Sequence, residues 1–239
     1  MYGYYGYLMD SYYMIGYLLV SIAAAFSIAA SAKVKSSFAA FSRIRVRSNM
    51  TGAEVAAAIL KKEGIYDAKV QRVKGHLTDH FNPSTKIVNL SDSVYGSNSI
   101  AAVAVAAHEC GHAVQHNEEF FPLKFRSAIV PVVNFQSKIA MPLILLGLFI
   151  PGLDFLMTLG IILFSATVLF HIVTLPVEFD ASRRALAIIE EMGIVTAEEL
   201  PGARKVLKSA ALTYVASAAA AVASLLRLIL ISKSRRRKD

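Results

Sequence analysis

Residues 155–175 read FLMTLGIILFSATVLFHIVTL, an unbroken apolar run with no Asp, Glu, Lys or Arg. A helix needs roughly 20 such residues to cross the hydrocarbon of a bilayer. No water serves the backbone there, so only helices and closed barrels can span it. Residues 12–32, 139–150 and 210–231 are similarly apolar. Mean hydropathy is +0.51 and only 18% of residues are charged, which is too apolar for an ordinary soluble domain. The spacing therefore predicts a mainly α membrane protein with three or four transmembrane helices. Residues 139–150 and 155–175, joined by the turn PGLD, read as a transmembrane hairpin.

The net charge of +8 does not point to nucleic acid. The basic residues sit beside apolar runs, in SAKVKSSFAAFSRIRVR and SKSRRRKD, and no RNA-binding motif accompanies them. Such flanks suit a lipid bilayer with anionic headgroups and a cytoplasmic side. The tyrosine-rich start, MYGYYGYLMDSYYMIGYLLV, resembles an interfacial aromatic belt and lacks the basic first region of a signal peptide. It reads as a retained anchor. The single cysteine, Cys110, allows no intrachain disulfide, so the fold needs no oxidising compartment.

Residues 34–135 are more polar and read as a folded domain. Thr51 and Glu54 form a capping box, and Gly64 closes the helix they open. Residues 68–73 alternate as a strand. In HFNPSTKIVNLS, Asn82-Pro83-Ser84 supply a hairpin turn and residues 86–90 its second strand. SNSIAAVAVAAHECGHAVQHNEEF then reads as a helix, capped by Ser97 or Ser99. A later helix, PVEFDASRRALAIIEEMG, is expected to open at Pro176 and close at Gly193.

Half of the six histidines fall between His108 and His116. His108 and His112 are four residues apart, so on a helix they differ by only about 40° of rotation and about 6 Å of rise. Both imidazoles can meet one metal ion, while Glu109 reaches its water as a general base. This is the H-E-x-x-H pattern of zinc peptidases. His116 lies about 12 Å along the axis from His108, too far to share a zinc with it. Cys110 points to another side of the helix, and Gly111 invites close approach by another element.

A catalytic zinc needs a third protein ligand and an open position. Glu178, in LPVEFDASRRAL, is the best candidate, because the hairpin returns the chain to the side it left. Glu118 and Glu119 are the alternatives, but follow too closely on the same helix to fold back. Asp180 is expected to support the site or to pair with Arg183 or Arg184. His80, His171 and Tyr214 are candidate oxyanion donors.

Three motifs together, LTDHFNPSTKIVNLS, SIAAVAVAAHECGHAVQH and LPVEFDASRRAL, resemble the YugP-type neutral zinc metallopeptidases of bacterial membranes. The likeness runs from MYGYYGY to AALTYVA, covering most of the chain. More distantly, the layout is similar to HtpX and the CAAX prenyl proteases. The resemblance implies Zn2+ on His108, His112 and Glu178, with Glu109 as base. The distant relatives place an aspartate four residues after the ligand glutamate; here that position is Ser182, a weaker partner for a zinc-bound imidazole.

The expected division is a transmembrane anchor at 1–32, a zincin-like α+β domain with the H-E-x-x-H helix and a small sheet at 33–138, and the hairpin at 139–175. A helix carrying the third ligand follows at 176–209, then an apolar helix and basic tail at 210–239. The expected function is a multi-pass bacterial-type membrane zinc endopeptidase acting on polypeptides, membrane proteins among them. The rival is a non-catalytic zinc-binding membrane adaptor or assembly factor, and a transporter fits less well. By analogy, strand 86–90 is expected to be the edge that pairs with substrate. The positive-inside rule puts 33–138 and 176–209 in the cytoplasm. If 210–231 then spans, KSRRRKD ends outside against the rule; either that segment does not fully cross, or the rule fails once.

Overall fold

The computed structural model describes residues 2–235, with side chains from residue 11. The side chains of the first tyrosines and the basic end beyond Arg235 lie outside the described residues. Among the described residues, seven helices and three strands follow in the order α1 Tyr2–Phe41, α2 Gly52–Lys62, β1 Lys69–Val73, β2 His80–Asn82, β3 Ile87–Ser91, α3 Asp92–Tyr95, α4 Ile100–Asn117, α5 Phe121–Phe149, α6 Asp154–Glu191 and α7 Leu200–Arg235. The protein is a mainly α membrane protein with a small sheet. Four described segments are long and apolar enough to cross a bilayer: Ser11–Phe41, Phe121–Phe149, Asp154–Glu191 and Leu200–Arg235.

The chain forms two compact units. The first draws on residues 1–29, 125–174 and 214–239. Its helices approach where side chains are small: a Cβ on Gly160 would meet the Ala140 carbonyl oxygen at 2.7 Å. A Cβ on Gly147 would come closer still to the Met157 backbone nitrogen across the hairpin. Lipid offers no hydrophobic drive for helices to associate, so such close packing and polar bridges hold them instead. Buried Gln136 of α5 donates to Thr167 of α6, and Arg235 pairs with Asp154 at 2.9 Å.

The second unit holds residues 30–124 and 175–213. Thr51 caps α2 with the expected reciprocal box, its hydroxyl accepting from the Glu54 amide while Glu54 accepts from the Thr51 amide. Gly64 takes φ +70° as α2 ends, a conformation that favours glycine. Asn82 Oδ1 accepts from the amides of Ser84 and Thr85 at 3.0 and 3.2 Å, making the hairpin turn. α4 is capped by Ser99, whose hydroxyl accepts from the Ala102 amide. Its first half is almost wholly buried among Val55 and Ile59 of α2, Val88 and Leu90 of β3, and Ala185 and Ile189 of α6.

Three expectations change. Strand 86–90 is not an edge: β3 lies in the middle of the order β1-β3-β2, parallel to β1 and antiparallel to β2. The parallel partner comes from a distant strand, which no local turn signal reveals. No helix opens at Pro176 either; α6 continues through it from Asp154 to Glu191, accepting one missing backbone bond. α5 likewise contains Pro131 and Pro142 and starts at Phe121, well before the apolar run at 139.

Candidate metal centre

α4 and the last part of α6 build the site inside the second unit. They come together because Gly111 has no side chain. A Cβ there would stand 2.6 Å from the Ala181 carbonyl oxygen, so α6 lies directly against the α4 backbone. The closeness brings His108 and His112, one turn apart on α4, to face Glu178 on α6. Glu178 Oε2 lies 3.3 Å from His108 Nε2 and 3.6 Å from His112 Nε2. One donor atom from each of the three falls within 4.8 Å of the others. Zinc bonds of about 2.0–2.2 Å set at tetrahedral angles place neighbouring ligand atoms about 3.3–3.6 Å apart. Both carboxylate–imidazole separations fall in that span, and two imidazoles with one carboxylate are a catalytic zinc donor set. The residues present therefore fit the ion.

All three side chains are largely withdrawn from water. Burial disfavours a charged His112, yet the adjoining carboxylates of Glu178 and Glu109 outweigh it, and its proton affinity rises. The pocket thus attracts a cation. Each imidazole is held from behind. Ser182 Oγ sits 3.2 Å from His108 Nδ1, and Gln115 Oε1 sits 3.1 Å from His112 Nδ1. Gln115 in turn donates to the Val177 carbonyl at 2.8 Å and to Asp180 Oδ2 at 3.0 Å. Asp180 is gripped by Arg183 and Arg184.

Glu109 is buried, and its Oε2 accepts from the Phe81 amide of β2 at 3.0 Å. In the antiparallel pair Phe81 stands opposite Val88. Its amide points away from β3, towards Glu109. So the edge nearest Glu109 is β2, not β3.

The remaining sequence candidates separate from the cluster. Cys110 is fully buried and its Sγ donates to the Ala56 carbonyl at 3.6 Å; burial pushes its thiol pKa up. His116 lies against the Phe81 ring at 5.8 Å. Glu118 pairs with Arg184 at 2.7 Å and Glu119 with Lys124 at 3.1 Å. His80 bonds the Thr78 carbonyl and is exposed. His171 and Tyr214 belong to the first unit. Gln115 was not among the residues singled out from sequence, though it lies three positions after His112, on the same helix face.

Residues 16–233 match the family model described as "Putative neutral zinc metallopeptidase". The chain belongs to this family. Zinc is accordingly its metal, and the family is one of zinc peptidases by description. The chain is also 50% identical over 199 residues to "Putative membrane protease YugP" of Bacillus subtilis (strain 168), covering 83% of this chain and 88% of that protein. No solved structure matches. Family membership, this relative and four apolar helices describe a membrane-associated zinc peptidase.

Proposed function

We propose that this chain is an integral-membrane zinc endopeptidase in which His108, His112 and Glu178 hold the metal and Glu109 is the general base. The observation that carries the proposal is the meeting of Glu178 Oε2 with both Nε2 atoms at 3.3 and 3.6 Å. When bound there, zinc would supply a Lewis acid that polarises a carbonyl and acidifies a water. Glu109 accepts the proton of the attacking water and later delivers it to the leaving amine. The Phe81 amide holds one Glu109 oxygen and leaves the other to receive that proton. Ser182 and Gln115 keep the two imidazoles facing inward. Substrates are polypeptides, membrane proteins among them, and the site faces the cytoplasm, as Lys33, Lys35, Arg43, Arg45 and Arg47 after the first apolar run indicate.

The test is Glu109→Gln, purified in a membrane mimetic with zinc and cleavage measured on the same sample. The amide keeps the shape but cannot take the proton. The expected result is wild-type zinc and a cleavage rate lower by at least 10²-fold, the lower range for a positioned base. Undiminished cleavage contradicts the role of Glu109. A zinc-loaded wild type that cleaves no polypeptide supports the adaptor reading instead.

A further inference from the structure

Gln115 is fully buried, so no water can replace any bond it makes. Its amide joins three groups. One end lies 3.1 Å from His112 Nδ1; the other lies 2.8 Å from the Val177 carbonyl and 3.0 Å from Asp180 Oδ2. A backbone carbonyl and a carboxylate can only accept hydrogen bonds. The NH2 group must therefore occupy the second end, and the oxygen must face His112. An oxygen beside Nδ1 fixes the tautomer, because Nδ1 has to carry the proton and Nε2 is left with its lone pair. That lone pair lies on the side where Glu178 sits.

We infer that Gln115 is a positioning residue that sets the tautomer of His112 and relays the charge of Asp180 to it, doing through an amide what a carboxylate does when it bonds a metal-binding imidazole directly. This rests on the zinc reading above. The relay has two ends on α6. Asp180, held by Arg183 and Arg184, polarises the amide so that its oxygen is a better acceptor. The bond to Val177 anchors the backbone one residue before Glu178. One side chain of α4 thus orients its own neighbouring imidazole and fixes the strip of α6 that presents the carboxylate. Among the described residues the Ser182 hydroxyl stands behind His108, a single neutral group where His112 has an amide tied to a carboxylate, so the two imidazoles are supported unequally.

The experiment is zinc-chelator competition on the full-length protein in a membrane mimetic, alongside the thermal midpoint of the metal-free form. It compares wild type, Gln115→Met and Gln115→Glu. Gln115→Met fills the space but accepts nothing from Nδ1, and zinc affinity is expected to fall about 10–100-fold, the range for lost partners of metal-binding histidines. Gln115→Glu still accepts from Nδ1 but sets its other oxygen against Val177 and Asp180. It is expected to bind zinc more tightly than Gln115→Met while its metal-free form melts lower. A packing role alone would rank the two variants the same way in both measurements, and that result overturns the inference. Should Gln115→Met not fold, Asp180→Asn carries the comparison; a several-fold weaker zinc affinity supports the relay, and unchanged affinity overturns it. A wild type that binds no zinc overturns the metal site and the relay together. A zinc-binding wild type with Gln115→Met unchanged overturns the relay alone.

Discussion

Gly111 of α4 and Ala181 of α6 are in backbone contact: a single added carbon on Gly111 would stand 2.6 Å from the Ala181 carbonyl oxygen. In a free helix, replacing glycine by alanine gains about 1 kcal/mol. Here the sign reverses, because the obstacle is backbone and cannot rotate away.

Gly111→Ala is therefore expected to destabilise the protein by about 1–3 kcal/mol, the usual cost of overpacking. It should also weaken zinc, since parting α4 from α6 moves Glu178 away from His108 and His112. Thermal melts with and without zinc check both effects. A variant more stable than wild type, with zinc affinity intact, contradicts the close approach.

Cys110 is expected to be inert. It is wholly buried, donates to the Ala56 carbonyl, and its thiol is pushed above the ordinary range by burial and by the charge of Glu109. Only the thiolate attacks alkylating reagents, so raising the pKa lowers reactivity at neutral pH, and burial blocks access. Iodoacetamide should modify Cys110 only after denaturation. Rapid modification of the folded protein contradicts the packing.

An inert Cys110 makes topology measurable. Ser84 lies exposed in the β2–β3 turn of the second unit. Ser84→Cys, expressed in intact bacterial cells, should resist a membrane-impermeant maleimide and react once the cells are opened. Labelling in intact cells contradicts the cytoplasmic orientation.

Features written within one turn of chain were the legible ones. The Thr51–Glu54 box, the Asn82 turn and the Ser99 cap each depend on residues two or three apart, and each forms as the spacing predicts. The pairing of β1 with β3 is parallel and spans the hairpin between them, so no short-range signal carries it. Pro176 misled because proline usually opens or breaks a helix, whereas α6 carries on through it. At the site, His108 and His112 were readable from helical periodicity. Glu178 required the hairpin to bring it back. Gln115 went unnoticed because its importance lies in what stands on the other helix, Val177 and Asp180.

The most direct test of the zinc site is metal content after dialysis for wild type, His112→Ala, Glu178→Ala and Asp180→Ala. Each lost ligand removes several kcal/mol from a binding energy of about 10–16 kcal/mol in complete structural sites. Near-stoichiometric zinc is expected in wild type, loss in His112→Ala and Glu178→Ala, and a smaller loss in Asp180→Ala, which reaches the imidazole through Gln115. Zinc retained equally by wild type and Glu178→Ala, or weakened more by Asp180→Ala than by Glu178→Ala, would contradict the zinc site.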